Sequence, residues 1–257
     1  MKIHSYACTH IGRRPNNEDA FLVSAELGLF AVADGMGGYE GGEVASHLAV
    51  SSMLEFYRDM SSPGAGDDTV KTGRNGQLSA IAARGQAGAR RLDAAIRLAN
   101  RRVCDHKRGA HERMGSTVAA LDLRDGVAVI GHVGDSRVYR LRDGALEPLT
   151  RDHSLYEMLR ATGTYPLPPP EEYGYRNVVT RALGIAESSP EIRVEPVAPG
   201  DVYLLCSDGL LERLDEDGLL FLLETRAPAD ACAAMVELAY ELGGRDNITA
   251  VVVAVTA

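Results

Sequence analysis

Apolar positions along this chain change their period several times, and each change marks an element. A short strand opens the chain, and DAFLVSAELGLFAVAD (19–34) reads as two further strands joined by a turn. From about Gly42 to Met60 the apolar residues recur at helical spacing. Residues 61–77, SSPGAGDDTVKTGRNGQ, then break every period with four glycines and a proline. They read as a mobile excursion rather than a domain boundary, because a second helix follows from Leu78 to about Lys107. That helix carries Ile81, Leu92, Ile96, Leu98 and Val103 among alanines and arginines, and is expected to pack beside the first.

Strand periodicity returns at Ser116. STVAALDL, VAVIGHV, RVYRL and ALEPLT, separated by RDG, GDS and RDG turns, read as one antiparallel meander. TYPLPPPEEYGY (164–175) reads as an exposed, semi-rigid loop. DVYLLCSDGL brings another buried strand, helices are expected from Leu210 to about Leu223 and from Ala229 to Leu242, and GGRDN precedes the last strand. Helices early and late with strands between them predict an α+β fold. The expected arrangement is an antiparallel β-sandwich flanked by helices on both outer faces, in a single domain over 1–257.

Composition narrows the setting. Of the 257 residues 45% are hydrophobic and 25% charged, as in an ordinary soluble globular protein. The formal net charge of −9 argues against nucleic acid or an anionic membrane as the main partner, since both attract a basic face. Cys8, Cys104, Cys206 and Cys232 form no CxxC pair, so neither a zinc site nor a disulfide framework is suggested. MKIHSYACTH has no apolar run of the kind a secretion signal needs. ITAVVVAVTA is about half of the ~20 residues a membrane helix needs. A cytoplasmic location is expected.

The candidate chemistry lies where strands meet turns. Asp34 (FAVADG), Asp135 (VGDSR), Asp208 (LLCSDGL) and Asp246 (GGRDNIT) each stand at such a junction. One turn aspartate is ordinarily structural, because it satisfies its own backbone. Four at the strand ends of one sandwich would repel one another unless a cation held them, and ligands without His or Cys select hard ions such as Mg²⁺ or Mn²⁺. The stretch GMGGYEGG (35–42) holds five glycines in eight residues, which implies positive φ or very close backbone approach. Gly35 could then turn its carbonyl in as a further oxygen ligand. RPNNED (14–19) adds Arg14, whose guanidinium fork suits phosphate capture, and two more carboxylates.

RPNNEDA, VADGMGG with GEVAS, MGSTVAA, GHVGDSRVYRL, LTRDHS, RNVVTRALG, LLCSDGL and GRDNIT occur in this order over about residues 10–251. In these motifs the chain resembles the metal-dependent Ser/Thr protein phosphatases (PPM, or type 2C), in particular their compact bacterial members. The resemblance implies an αββα sandwich with a two-metal centre in a cleft at one end. It makes Asp34 the bridge between two Mn²⁺ or Mg²⁺ ions, with the Gly35 carbonyl, Asp208 and Asp246 completing their ligands, and gives Asp135 to a third, weaker ion. Glu18 and Asp19 resemble the acidic pair that holds metal-bound water, Arg14 the phosphate-binding arginine, and Ser207 and Asn247 residues that brace the ligands. The implied reaction is in-line attack on phosphoserine or phosphothreonine by a metal-bound hydroxide. Phosphorylated proteins, with a Ser/Thr kinase and its substrates, are the implied partners of a monomeric enzyme.

Two positions depart from the family pattern. Met36 and Tyr39 stand where relatives often keep a histidine, so Tyr39 becomes the candidate proton donor. His153, in TRDHS, reads as a hydrogen-bonded structural residue. Cys8 and Arg14 fit the Cys-x5-Arg spacing of cysteine-dependent phosphatases. However, the segment runs through Pro15 into Glu18 and Asp19, which would repel phosphate, and chance accounts for the spacing.

Overall fold

The computed structural model describes residues 1–37, 41–61, 76–163 and 166–257. In chain order its elements are β1 (Lys2–His10), β2 (Asp19–Ser24), β3 (Leu29–Met36), α1 (Gly41–Ser61), α2 (Gly76–His106), β4 (Gly115–Ser116), β5 (Val118–Arg124), β6 (Val127–Val133) and β7 (Arg137–Arg142). They continue with β8 (Ala145–Pro148), α3 (Leu155–Thr162), β9 (Glu191–Pro196), β10 (Val202–Cys206), α4 (Asp208–Leu211), α5 (Glu216–Thr225), α6 (Pro228–Glu241) and β11 (Ile248–Thr256). One antiparallel sheet runs β1-β11-β10-β7-β8 and the other β2-β3-β5-β6-β9, with β4 paired to β3.

The central strands are apolar on both faces because both faces are covered. In β3, Leu29, Ala31 and Ala33 pack under α1 and α2, whereas Phe30 and Val32 point into the space between the sheets. In β11, Ile248, Ala250 and Val252 meet α4–α6, and Val251, Val253 and Val255 face the opposite sheet. Three apolar layers follow, one between the sheets and one under each helical layer, which is the expected four-layer sandwich. The period of two remains, but polar alternation is lost because neither face of these strands meets water.

The expected meander is really two hairpins in different sheets. β5–β6 belongs to one sheet and β7–β8 to the other, and the chain crosses between them at Gly134–Ser136. The helix expected over 210–223 is two helices, because Asp215 accepts a hydrogen bond from Gly218 N at 2.9 Å and starts a new N-terminus there. β9 and α3 had no counterpart in the sequence reading. Most of the 61–77 excursion lies outside the described residues, as does Tyr39.

Candidate active site

Each acidic residue is delivered by the end of an element, and all the deliveries fall at one end of the sandwich. β2 begins with Asp19, which pairs in register with Asp34 on β3. Asp135 occupies the turn between β6 and β7, Asp208 opens α4 directly after β10, and Asp246 precedes β11. A cleft of about 530 Å³ is lined by Arg14, Glu18, Asp34, Asp135, Asp208 and Asp246, among others. The carboxylates therefore come from both sheets.

The glycine run now has a physical reason. A Cβ on Gly35 would lie 2.1 Å from the Gly42 carbonyl oxygen and 2.6 Å from that of Glu18, so only glycine fits. Gly37 differs, with φ at +136°, a backbone conformation that side chains disfavour. Close approach at one position and positive φ at the other explain two of the five glycines.

Bracing of the cluster is dense. Ser207 Oγ donates to Asp19 Oδ2 at 2.8 Å and accepts from Thr249 N at 3.0 Å. Asn247 Oδ1 accepts from Glu18 N at 2.8 Å, while its Nδ2 donates to the carbonyls of Ile11 (2.8 Å) and Asn16 (3.0 Å). One amide thus fastens the segment carrying Arg14 and Glu18 to the turn carrying Asp246. Thr117, in MGSTVAA, supports the cluster although nothing in the sequence marks it. Its Oγ1 accepts from Asp34 N at 3.0 Å and lies 2.7 Å from Ser136 Oγ, and its own N–H donates to Asp34 O at 2.8 Å. Two residues beyond Asp135, Arg137 is held by a bidentate pair to Asp152 at 2.7 and 2.8 Å.

Crowding of like charge shows in the titration behaviour. Burial, and then the neighbouring Asp208 and Asp152, push Asp135 up to about 7. Burial and then Asp246 push Asp208 up to about 6. Asp19 rises to about 7, mainly through burial, despite the Thr249 and Ser207 hydrogen bonds. Asp34 is raised well above the usual carboxylate range by burial and by Asp19, Asp208, Asp135 and Asp246 together. Asp19 Oδ1 and Asp208 Oδ1 are buried with no hydrogen-bond partner. Buried polar atoms left without partners in an all-oxygen cluster fit divalent ions such as Mn²⁺ or Mg²⁺.

Arg14 stands at the mouth, its side chain 55% exposed, with Nη2 2.7 Å from Asp246 Oδ2. It is neither a free surface arginine nor a buried one, and one face of its fork still points to solvent. Cys8 does not join it, because its side chain packs on the apolar cluster under α4–α6.

An αββα sandwich with an oxygen-only acidic cleft between its sheets defines the class of metal-dependent protein phosphatases. The Protein phosphatase 2C family profile matches residues 8–239. The Ser/Thr protein phosphatase PstP of Mycobacterium tuberculosis is 34% identical over 241 residues, which cover 93% of this chain and 42% of that protein. The crystal structure of M. tuberculosis PstP/Ppp superposes with a TM-score of 0.83 at 30% identity over all of both chains. The catalytic domain of PstP in complex with two manganese ions gives 0.80 at 32% identity over 99% of each chain. The chain belongs to the protein phosphatase 2C family.

Proposed function

We propose that the chain removes phosphate from phosphoserine and phosphothreonine in proteins by in-line displacement at phosphorus. The observation that carries this reading is the convergence of Asp19, Asp34, Asp135, Asp208 and Asp246 from both sheets, with buried carboxylate oxygens left without partners. Asp34, Asp208, Asp246 and the Gly35 carbonyl are the residues that would hold two divalent ions, Mn²⁺ or Mg²⁺, and Asp135 a third, weaker one. When bound, such ions supply an activated water and neutralise phosphoryl oxygens.

The chain's own groups do the rest. Arg14 offers its open guanidinium face to two phosphate oxygens. Glu18 and Asp19 orient the attacking water, with Asp19 fixed by Ser207 and Glu18 by Asn247. The departing serine or threonine oxygen needs a proton, and Tyr39 is the candidate donor on the glycine-rich loop. Substrates are the products of Ser/Thr kinases. No described helix is long and apolar enough to cross a membrane.

Hydrolysis of a phosphoserine peptide should require Mn²⁺ or Mg²⁺, stop with a chelator and resist a thiol alkylator. Metal binding without turnover would make the chain a phosphoprotein-binding module instead, and sensitivity to the alkylator would restore the cysteine route.

A further inference from the structure

Among the described residues, His132, His153 and Glu191 bring their possible ligand atoms within 4.8 Å of one another, away from the carboxylate cluster. The spacing would suit a metal ion, but the hydrogen bonds exclude one. His153 Nδ1 accepts from Gly134 N at 3.2 Å, so its lone pair is already used and the neutral ring carries its proton on Nε2. That Nε2 faces Glu191 Oε2 at 3.5 Å and the Arg181 guanidinium at 3.4 Å, and a cation beside a metal site would oppose it. His132 Nε2 is spent on the Arg151 carbonyl at 2.7 Å.

The bonds say what the pair does instead. His153 grips Gly134 twice, its backbone N–H donating to Gly134 O at 2.8 Å while Nδ1 receives Gly134 N–H. Gly134 directly precedes Asp135 in the turn where the chain changes sheets. On its other side, the His153 carbonyl accepts from Thr180 N at 2.7 Å and Thr180 Oγ1 at 2.8 Å. Asn177 and Val179, just before Thr180, line the cleft. His132 stacks on the ring at 4.4 Å and 20°, which fixes its plane. Burial and then His132 hold the imidazole down at about 4, so Nδ1 keeps its lone pair at neutral pH.

We infer that His153 is a positioning residue that sets the Asp135 turn and ties it to the cleft-lining segment 177–180 through its hydrogen bond to Gly134. The inference rests on the assignment of Asp135 to a divalent ion made above. It goes beyond that assignment by naming the group on which Asp135 depends, which acts through the backbone and touches neither phosphate nor ion.

Two substitutions separate the hydrogen bond from packing. His153→Asn places its Oδ1 close to the level of Nδ1 and keeps an acceptor for Gly134 N–H but loses the stack on His132. His153→Phe keeps the ring and the stack but has no acceptor. Phosphopeptide hydrolysis by the full chain is titrated with Mn²⁺, Mn²⁺ binding is followed by calorimetry, and Asp135→Ala is run alongside. His153→Phe should raise the Mn²⁺ concentration for half-maximal activity about ten-fold or more and reproduce the binding loss of Asp135→Ala. His153→Asn should stay within about three-fold of the parent. Should His153→Phe prove unfolded by circular dichroism, His153→Gln carries the same test, because its amide reaches the level of Nε2 and leaves Gly134 N–H without an acceptor. Equal losses in the Asn variant and in the variant without an acceptor, or none in either, overturn the inference while a metal-sensitive Asp135→Ala leaves the proposed function intact. An Asp135→Ala variant with unchanged Mn²⁺ dependence overturns the inference together with the assignment of Asp135 to a third ion, and leaves the two-ion phosphatase reading to the phosphopeptide assay.

Discussion

Ser207 and Asp19, 188 positions apart in sequence, share a buried 2.8 Å hydrogen bond that joins the strand-end of one sheet to the first residue of a strand in the other. Ser207 Oγ also receives Thr249 N–H, so one hydroxyl completes two groups. Ser207→Ala should leave a buried amide without its partner and take a hydrogen bond from a buried carboxylate, costing roughly 2 to 6 kcal/mol at ~1 to 3 kcal/mol per group. Denaturant unfolding in the presence of a chelator measures this directly. A loss below about 0.5 kcal/mol would mean that water or a rearranged side chain takes over both bonds.

Removal of single ligands should separate the carboxylates into two kinds. Asp34→Ala, Asp208→Ala and Asp246→Ala are each expected to abolish phosphopeptide turnover, because on the proposed assignment each removes a ligand that the two ions would need. Asp135→Ala should cut kcat strongly while two Mn²⁺ ions still bind by calorimetry. Complete loss of metal binding in that variant would contradict the separate third site.

Arg14→Ala should act mainly on KM, with a loss on the order of 1.5 to 3 kcal/mol for a hydrogen bond to a charged group. The fold should persist, since the Arg14 side chain is more than half exposed and its ion pair is to Asp246. Steady-state kinetics with a phosphopeptide check this, and unchanged kcat and KM would return Arg14 to the surface.

Acid should weaken metal binding over a defined window. Asp135 near 7 and Asp208 near 6 hold protons that ordinary carboxylates release near 4, so a divalent ion must displace them below neutrality. Because the raised folded-state values favour the protonated forms, apparent Mn²⁺ affinity should fall about ten-fold or more from pH 7.5 to 5.5, with proton release growing over the same interval. Calorimetry in two buffers of different ionisation enthalpy reads both quantities, and pH-independent affinity would argue against these carboxylates as ligands.

The sequence shows the site more readily than its supports. Asp34, Asp135, Asp208 and Asp246 are visible because each follows or precedes an apolar run and sits beside a turn residue. Thr117 is not, since a threonine in a β-rich segment looks like any other strand residue until its hydroxyl is seen under Asp34 N and beside Ser136. His153 reads as structural, and it is hydrogen-bonded as expected, but which backbone it grips depends on how the 134–136 turn lies against residues 153–154. The sheet change at that turn leaves no trace either. VAVIGHV and RVYRL alternate in the same way whether their hairpins share a sheet or not. β9, EIRVEP, is a short edge strand paired with β6, with Val194 still 41% exposed, so its alternation is faint. The break before α5 was legible in principle, because Asp215 precedes Glu216 and Asp217 as an N-cap would.

The position of β11 between β1 and β10 has a consequence for the order of synthesis. A nascent chain that has emerged as far as residue 240 already owns every other strand of both sheets, yet β1 has no neighbour and the five-stranded sheet is split in two. Asp246 and Asn247 are still inside the ribosome, so Arg14 and Glu18 hang on an unfastened segment 229 and more positions from their partners. On the proposed function, the acidic site would therefore be complete only once β11 has paired with β1 and β10.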